Sequence, residues 1–325
     1  MQKMQASEGQ KQFFSHPTIR KWWGYTDFST PVTNPGSVYH YTSANAIINV
    51  LTKHKLRLTK SDFMNDVSEI EYACSLFLQR LDQSPVKDKE AIRASFLAQK
   101  PKLFENVFVL ALSNDPDSLS MWAYYGKNDG YNVEIDGQFM VDLSKLQKEK
   151  IQIIGSDILD DEEDEPCPCN VARGNHNYSF DLEIKSHCIN YSRVEQTEIF
   201  DLILAELSRE TGDTRAAMEL YLKLVINIIP FFKHPKFSSE KEYRLLIRLT
   251  DISPDSTDII KYRNYHGILV PYIELFLQNT SYFKSICLSP MNSSDVAKNA
   301  LSYFANNHNP KLSIRTSDVP IRQGW

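Results

Sequence analysis

Hydrophobic and polar positions in the first third of the chain alternate between strand-like and helix-like spacing. The sequence predicts a strand over Val38 to Tyr41 and then a helix, which Ser43 or Asn45 can cap. Leu56 to Thr59 alternates as a second short strand. Further helices are predicted at about 67–81 and 87–97, a buried strand at 107–112, a short helix at 118–125 and a strand at 130–135.

The pattern changes in the second half of the chain. The acidic run at 160–165 and the Pro-Cys-Pro-Cys segment after it predict an exposed loop. Helices are predicted at about 195–209 and 215–229, and strands over 242–249, 267–271 and 286–288. Helices and strands mixed in this order favour an α+β fold over a strictly parallel array.

Composition restricts the class of protein. The chain has 325 residues, of which 42% are hydrophobic, so it can bury a large core. A net charge of −5 means that any nucleic-acid substrate must be held by a local basic patch. No secretory signal or membrane-spanning stretch is evident, and five scattered cysteines do not suggest a disulfide framework. These features predict a cytoplasmic protein without a membrane partner.

Reactive side chains concentrate in a few segments. Glu240 and Glu242 are two residues apart, which places both carboxylates on one face of a strand. Arg244 is expected to pair with Glu242 or a neighbour, and Asn65-Asp66 to lock a turn. Lys233, His234, Lys236 and Lys241 form a modest basic group near the Glu-x-Glu pair.

A metal site is not expected. Cys167 and Cys169 are separated by one residue, closer than zinc ligands usually are, and the nearby His176, His187 and Cys188 do not complete a zinc motif.

Several motifs in a fixed order resemble an uncharacterised bacterial family, domain of unknown function 2971. They are YHYTS, LRLT, MND, SLSMWAYYG, FSSEKEYRLLIR and SDVPIR, between about Val38 and Arg322. That family is similar to the ADP-ribosyltransferase-like superfamily of the His-Tyr-Glu type, which includes toxins. The resemblance implies a split mixed sheet with flanking helices, with a leader over 1–36 and a domain over 37–325 that carries a helical insertion at about 155–235. Trp22-Trp23 would help the leader to lie on the domain.

The resemblance also implies an NAD site. His40 would hydrogen-bond a ribose hydroxyl, Thr42 or nearby backbone at Tyr41 would hold the nicotinamide amide, and Tyr124 or Tyr125 would stack on its ring. Ser120 would also line the NAD site. Arg57 has two interpretations, a phosphate contact or a surface strand residue.

The same resemblance implies the catalytic roles. Glu242 would accept a hydrogen bond from the ribose 2′-OH, and Glu240 would orient or deprotonate the acceptor. Replacing Glu242 by Gln is then expected to abolish turnover and leave thermal stability nearly intact.

The sequence therefore predicts an NAD-dependent mono-ADP-ribosyltransferase, a toxin or anti-phage defence effector that modifies nucleic acid or protein. A neutralising antitoxin protein is expected as a partner, docking on the leader, on Trp22-Trp23 or on the 155–230 lobe. Two alternatives stay open. One is an NAD glycohydrolase, in which water takes the acceptor's place, and the other is a catalytically silent nucleotide- or protein-binding module of the same fold.

Overall fold

The computed structural model of the chain describes residues 8–22, 34–64, 68–126, 130–145, 181–209, 214–250, 252, 259–277, 279–292 and 294–320. Its strands are β1 (Ser37–Thr42), β2 (Lys55–Lys60), β3 (Val107–Ser113), β4 (Tyr131–Asp136), β5 (Asp181–Cys188), β6 (Glu242–Thr250), β7 (Lys261–Tyr265), β8 (Ile268–Phe276), β9 (Phe283–Leu288) and β10 (Ser313–Thr316). Its α-helices are α1 (Glu8–Ser15), α2 (Pro17–Arg20), α3 (Ala44–Lys53), α4 (Ser68–Gln83), α5 (Lys89–Gln99), α6 (Leu119–Met121), α7 (Gln138–Lys145), α8 (Arg193–Arg209), α9 (Thr214–Ile228) and α10 (Asp295–His308).

These strands form one mixed sheet of ten strands that branches at β3. Strand β6 pairs antiparallel with β3 along the whole of Val107–Ser113, so it occupies one edge of β3. On the other edge, β1 pairs at Ser113 and β2 pairs at Phe108 and Val109. Strands β1 and β2 therefore contact opposite ends of the same edge and diverge from each other.

The divergence divides the sheet into two arms. The first arm runs β1-β4-β9-β10, and its last pair is parallel. The second arm runs β2-β8-β7 and is antiparallel. The expected α+β class with a mixed sheet and flanking helices is confirmed, whereas the ADP-ribosyltransferase-like fold stays a prediction.

Two hydrophobic cores cover the two faces of the central strands. Alternation along β3 sends Val107 and Val109 to one core and Phe108 and Leu110 to the other. The first core contains α4, α5, α8 and α9, and the second contains α3, α7 and α10. Most of β6 is buried on both faces, which explains its nearly continuous hydrophobic run.

The N-terminal segment contributes to the first core. Phe13, Phe14, Ile19 and Trp22 are buried, and the Trp22 ring stacks on His187 with centroids 4.0 Å apart. The proposed division at residue 36 stays a prediction. Trp23, the acidic run and residues 155–180 and 210–213 of the proposed insertion lie outside the described residues.

One local expectation was wrong. Gly267 was predicted to begin a strand, but it forms a two-residue turn with His266 between β7 and β8, and both residues have positive φ, 81° and 50°. Such turns fit the twist of paired strands, and glycine tolerates the required conformation. Among the described helices, each is too short or too polar to cross a membrane.

Candidate functional site

The divergence of β1 and β2 opens a cleft of about 360 Å³ above the edge of β3. It is lined by all the predicted NAD-contacting residues except Ser120, namely His40, Tyr41, Thr42, Arg57, Tyr124 and Tyr125. The topology therefore brings together side chains that lie up to 85 positions apart in the sequence.

His40 lies on β1 at one end of the cleft. The residue is half-buried, and its Nδ1 is shielded from solvent with no hydrogen-bond partner among the described residues. Burial lowers the pKa of His40 to about 4, so the imidazole is neutral at pH 7. A neutral imidazole offers one donor and one acceptor to a ligand that enters the cleft.

Tyr41 has a structural task. Its hydroxyl donates to the carbonyl of Asp115 and accepts from the backbone N–H of Ser118, both at 2.8 Å. Its ring packs edge-on against Trp122, whose indole N–H donates to Asp117 at 2.6 Å. Tyr41 thus anchors the segment that carries Tyr124 and Tyr125.

Tyr124 and Tyr125 lie on a π-helical turn over Trp122–Gly126. Tyr124 is 70% exposed, whereas Tyr125 is half-buried against Tyr41 and Trp122. A π-turn is rarer than an α-turn and is frequent at functional sites, because it changes the direction of side chains. Both residues line the cleft.

The far end of the cleft is cationic and contains a carboxylate that the sequence analysis missed. Glu274 on β8 is buried and accepts from Lys55, Arg57 and Lys261 at 3.3, 3.4 and 3.0 Å. Its pKa is lowered, because these cations outweigh the effect of burial, which alone would raise it. Glu274 is the single acid in the otherwise apolar run of β8, and this was the signal that could have revealed it.

Glu240 and Glu242 lie elsewhere, in a buried ionic cluster that we define as Glu69, Lys233, Glu240, Glu242 and Arg244. The Lys233 Nζ lies 2.5 Å from Glu69, 2.6 Å from Glu240 and 3.4 Å from Glu242. Arg244 donates from Nε and Nη2 to the two oxygens of Glu242 at 2.6 and 2.9 Å. The predicted pairing of Arg244 with Glu242 is confirmed.

The pKa values of the two carboxylates in the cluster are shifted in opposite directions. Burial raises the pKa of Glu240 above its usual range. Burial would also raise the pKa of Glu242, but Arg244 and Lys233 outweigh it, so the pKa of Glu242 is lowered. Glu242 is therefore held as an anion, with both of its oxygens engaged by Arg244.

Strand register places this cluster on the opposite face from His40. Tyr39 pairs with Ser113, and Ser113 pairs with Glu242, so these three side chains share one face across β1, β3 and β6. His40 follows Tyr39 and points to the other face. Neither Glu240 nor Glu242 lines the cleft.

Other predicted residues have structural partners. The Ser120 hydroxyl lies outside the cleft, where it contacts Ser118 at 2.9 Å and donates to the carbonyl of Ser239 at 3.3 Å. The predicted basic group offers less positive charge to a ligand than expected. Lys233 is buried within the ionic cluster, and Lys241 pairs with Asp115 at 2.9 Å.

Some expectations fall on residues that are not described. Asn65-Asp66, Cys167, Cys169 and His176 lie outside the described residues. In the described part of the chain, no group of His, Cys, Asp and Glu is arranged to hold a metal ion.

Comparison with protein families gives a match to part of the chain. Residues 121–245 match the model of a family described as a protein of unknown function (DUF2971). The matched range contains Tyr124, Tyr125 and the Glu-x-Glu pair, whereas His40 and Arg57 precede it. No curated protein and no solved structure matches the chain.

Proposed function

We propose that this protein is an NAD-dependent mono-ADP-ribosyltransferase that binds NAD in the cleft between β1 and β2. The observation that carries the proposal is the combination of a neutral His40 and two tyrosines at one end of the cleft with Arg57 at the other. An extended dinucleotide needs both surfaces, since its nicotinamide favours an aromatic wall and its pyrophosphate favours a guanidinium.

In the proposed reaction, the C1′–N bond of NAD breaks and its electron pair leaves with nicotinamide. The acceptor's nucleophile forms a new bond to C1′, and its proton passes to a basic group or to solvent. Positive charge develops on the ribose in the transition state, so a fixed carboxylate beside it would accelerate the reaction. Stacking on Tyr124 or Tyr125 would hold nicotinamide and exclude competing water.

The position of Glu242 means that transferase activity would require a rearrangement. Because Arg244 engages both oxygens of Glu242, and Glu242 does not line the cleft, Glu242 can serve the ribose only after this pair opens and the strand edge rearranges. This observation favours a second candidate, a catalytically silent nucleotide-binding module that uses the same cleft. The two candidates share the NAD site and differ in turnover.

One experiment separates these functions. Titration calorimetry with NAD measures binding, and NAD labelled on its adenine moiety is then incubated with the protein and cellular RNA, DNA and protein. Labelled macromolecule together with free nicotinamide supports the transferase. Free ADP-ribose alone selects a glycohydrolase, and binding without nicotinamide release selects the silent module. Absence of NAD binding by folded protein rejects the cleft proposal.

Two matched histidine variants test whether NAD binds beside His40 in the cleft. His40→Gln is expected to weaken NAD binding about tenfold, the effect of losing one well-formed hydrogen bond in a buried site. His54→Asn is the control, because His54 ends α3 in a left-handed conformation that asparagine tolerates and does not line the cleft. Equal affinities for both variants would place NAD elsewhere.

We also propose that an active enzyme acts as a toxin or anti-phage effector and needs a neutralising protein, since free transferase activity would consume cellular NAD. Trp22, one expected docking point, is 4% exposed and packed against His187, which leaves it unsuited to an exposed docking surface. Co-purification with neighbouring gene products tests the partner, and harmless expression of the active enzyme alone would contradict it.

A further inference from the structure

The β2-β8-β7 arm presents one unusually cationic and aromatic face toward the cleft. Lys55 and Arg57 come from β2, and Lys261 and Arg263 come from β7. Glu274 is the acid that lies among these four cations, and it pairs with the first three. The face therefore keeps a local excess of positive charge on a chain whose net charge is −5.

Strand register shows that these side chains share a face. Arg57 pairs with Glu274 across β2 and β8, and Lys261 pairs with Tyr272 across β7 and β8. Residues two apart on a strand point the same way, which adds Arg263 and Tyr265 to the face. Tyr262, Asn264 and Leu269 point to the other side.

Aromatic rings lie between the cations. The Arg57 guanidinium lies 5.1 Å from the centroid of the Tyr272 ring, and the Arg263 guanidinium lies 5.9 Å from that of Tyr265. Tyr265 is 48% exposed beside the turn at the end of β7. Tyr265 and Arg263 also line the cleft, so the face continues into it.

We propose that this face binds single-stranded nucleic acid and brings it to the mouth of the cleft. Arg263 contacts the phosphate backbone, and a base stacks on Tyr265, because aromatic rings accept any base whereas cations follow the backbone. The recruitment of an acceptor rests on the proposed function, but the binding of single-stranded nucleic acid does not.

Charge and geometry favour this ligand over others. A duplex keeps its bases stacked inside and cannot place one on Tyr265, so single strands should bind more tightly. An acidic protein segment would satisfy the cations but would gain little from the exposed ring of Tyr265. The local positive charge on an acidic chain is also the arrangement expected of a confined nucleic-acid site.

The test uses fluorescence anisotropy on the full chain without NAD. The probes are labelled single-stranded DNA and RNA of about 16 nucleotides, in the size range of single-strand grooves, and a matched duplex. Tyr265→Ala and Arg263→Gln are compared with Tyr262→Ala, an exposed tyrosine three positions away on the other face of β7. Melting temperatures confirm that each variant is folded.

The wild-type chain is expected to bind single strands more tightly than duplex, with affinity that falls as salt rises. Tyr265→Ala and Arg263→Gln should each weaken binding about tenfold, corresponding to 1.4 kcal/mol, while Tyr262→Ala leaves it unchanged. Absence of single-strand binding, or equal binding by all three variants, overturns the proposal.

A parallel NAD titration keeps this result distinct from the proposed function. If the Arg263 variant loses NAD binding while the wild-type chain binds no oligonucleotide, the face belongs to the dinucleotide and the nucleic-acid proposal is wrong. If oligonucleotides bind and NAD does not, the nucleic-acid proposal is supported and the transferase proposal is rejected.

Discussion

At the scale of single residues, partners decide what a side chain can do. Glu242 and Glu274 are both buried carboxylates held as anions by cations, and strand register places both on one face of the sheet. Only Glu274 lines the cleft. The sequence indicated Glu242 through its spacing from Glu240, but the expected placement of both on one face of a strand was wrong. Glu240 ends a 3₁₀-helix, Lys241 after it is left-handed, and β6 begins only at Glu242. Spacing did not reveal that Arg244 would engage both of its oxygens.

The expected effect of Glu242→Gln is therefore revised. The amide cannot replace the charge that Arg244 and Lys233 pair with, so the variant should lower the free energy of unfolding by about 3 kcal/mol. Urea denaturation measures this loss. Asp201→Asn is the control, since Asp201 pairs with Arg80 at a partly exposed position and should cost about 1 kcal/mol or less. Equal small losses would show that the buried cluster is not stabilising.

His40 should make stability depend on pH. Its folded pKa, about 4, lies below the value near 6.5 that an unfolded histidine has, so the unfolded chain binds more protons between these values. The free energy of unfolding should fall as pH decreases from 6.5 to 4.5, and His40 should account for about 2 to 3 kcal/mol of that loss.

The comparison is between wild-type protein and His40→Gln, with denaturation curves measured at several pH values. The other titratable groups contribute equally in both proteins, so the difference between their unfolding free energies at each pH isolates the contribution of His40. A difference that does not change with pH would mean that the imidazole is not shielded.

At the scale of elements, local pattern located most helices and strands within a few residues. The predicted helix at 67–81 corresponds to α4, the strand at 107–112 to β3 and the strand at 242–249 to β6. Strands β5, β7 and β10 and helices α1, α2, α7 and α10 were missed. The predicted short helix at 118–125 is divided between α6 and a π-turn, which depends on packing around Trp122 and Gly126.

Glycine packing in this region predicts a sharp effect. A Cβ at Gly130 would lie 2.2 Å from the Cα of Gly126, so Gly130→Ala must displace backbone and should cost about 3 kcal/mol. Gly267→Ala meets no atom within 4 Å and should cost about 1 kcal/mol, from its positive φ alone. Chemical denaturation compares the two variants, and similar losses would contradict the close contact.

At the scale of the whole molecule, distant segments complete the same cores. Lys21, at the end of α2, pairs with Glu195 of α8, and Phe13 of α1 packs edge-on against Tyr221 of α9. The first 36 residues thus include part of the folded core, because residues 8–22 bury aromatic side chains in it.

Trp22→Ala should consequently destabilise the molecule by about 3 to 5 kcal/mol, the usual cost of removing a buried tryptophan. Lys21→Ala removes only an exposed ion pair with Glu195 and should cost less than about 1 kcal/mol. Thermal melting of both variants tests the difference. If Trp22→Ala melts like wild type, the N-terminal helices are peripheral to stability.

The sequence by itself determined the fold class, most strands and helices, and the residues of the first strand that line the cleft. These properties follow from short-range periodicity and from motifs that span a few positions. Only the tertiary structure decided which faces those residues occupy. Strand pairing set His40 and Glu242 on opposite faces, because register is a property of two strands and cannot be inferred from either one alone. It also brought Glu69 to Arg244, 175 positions away, and gathered the cations around Glu274.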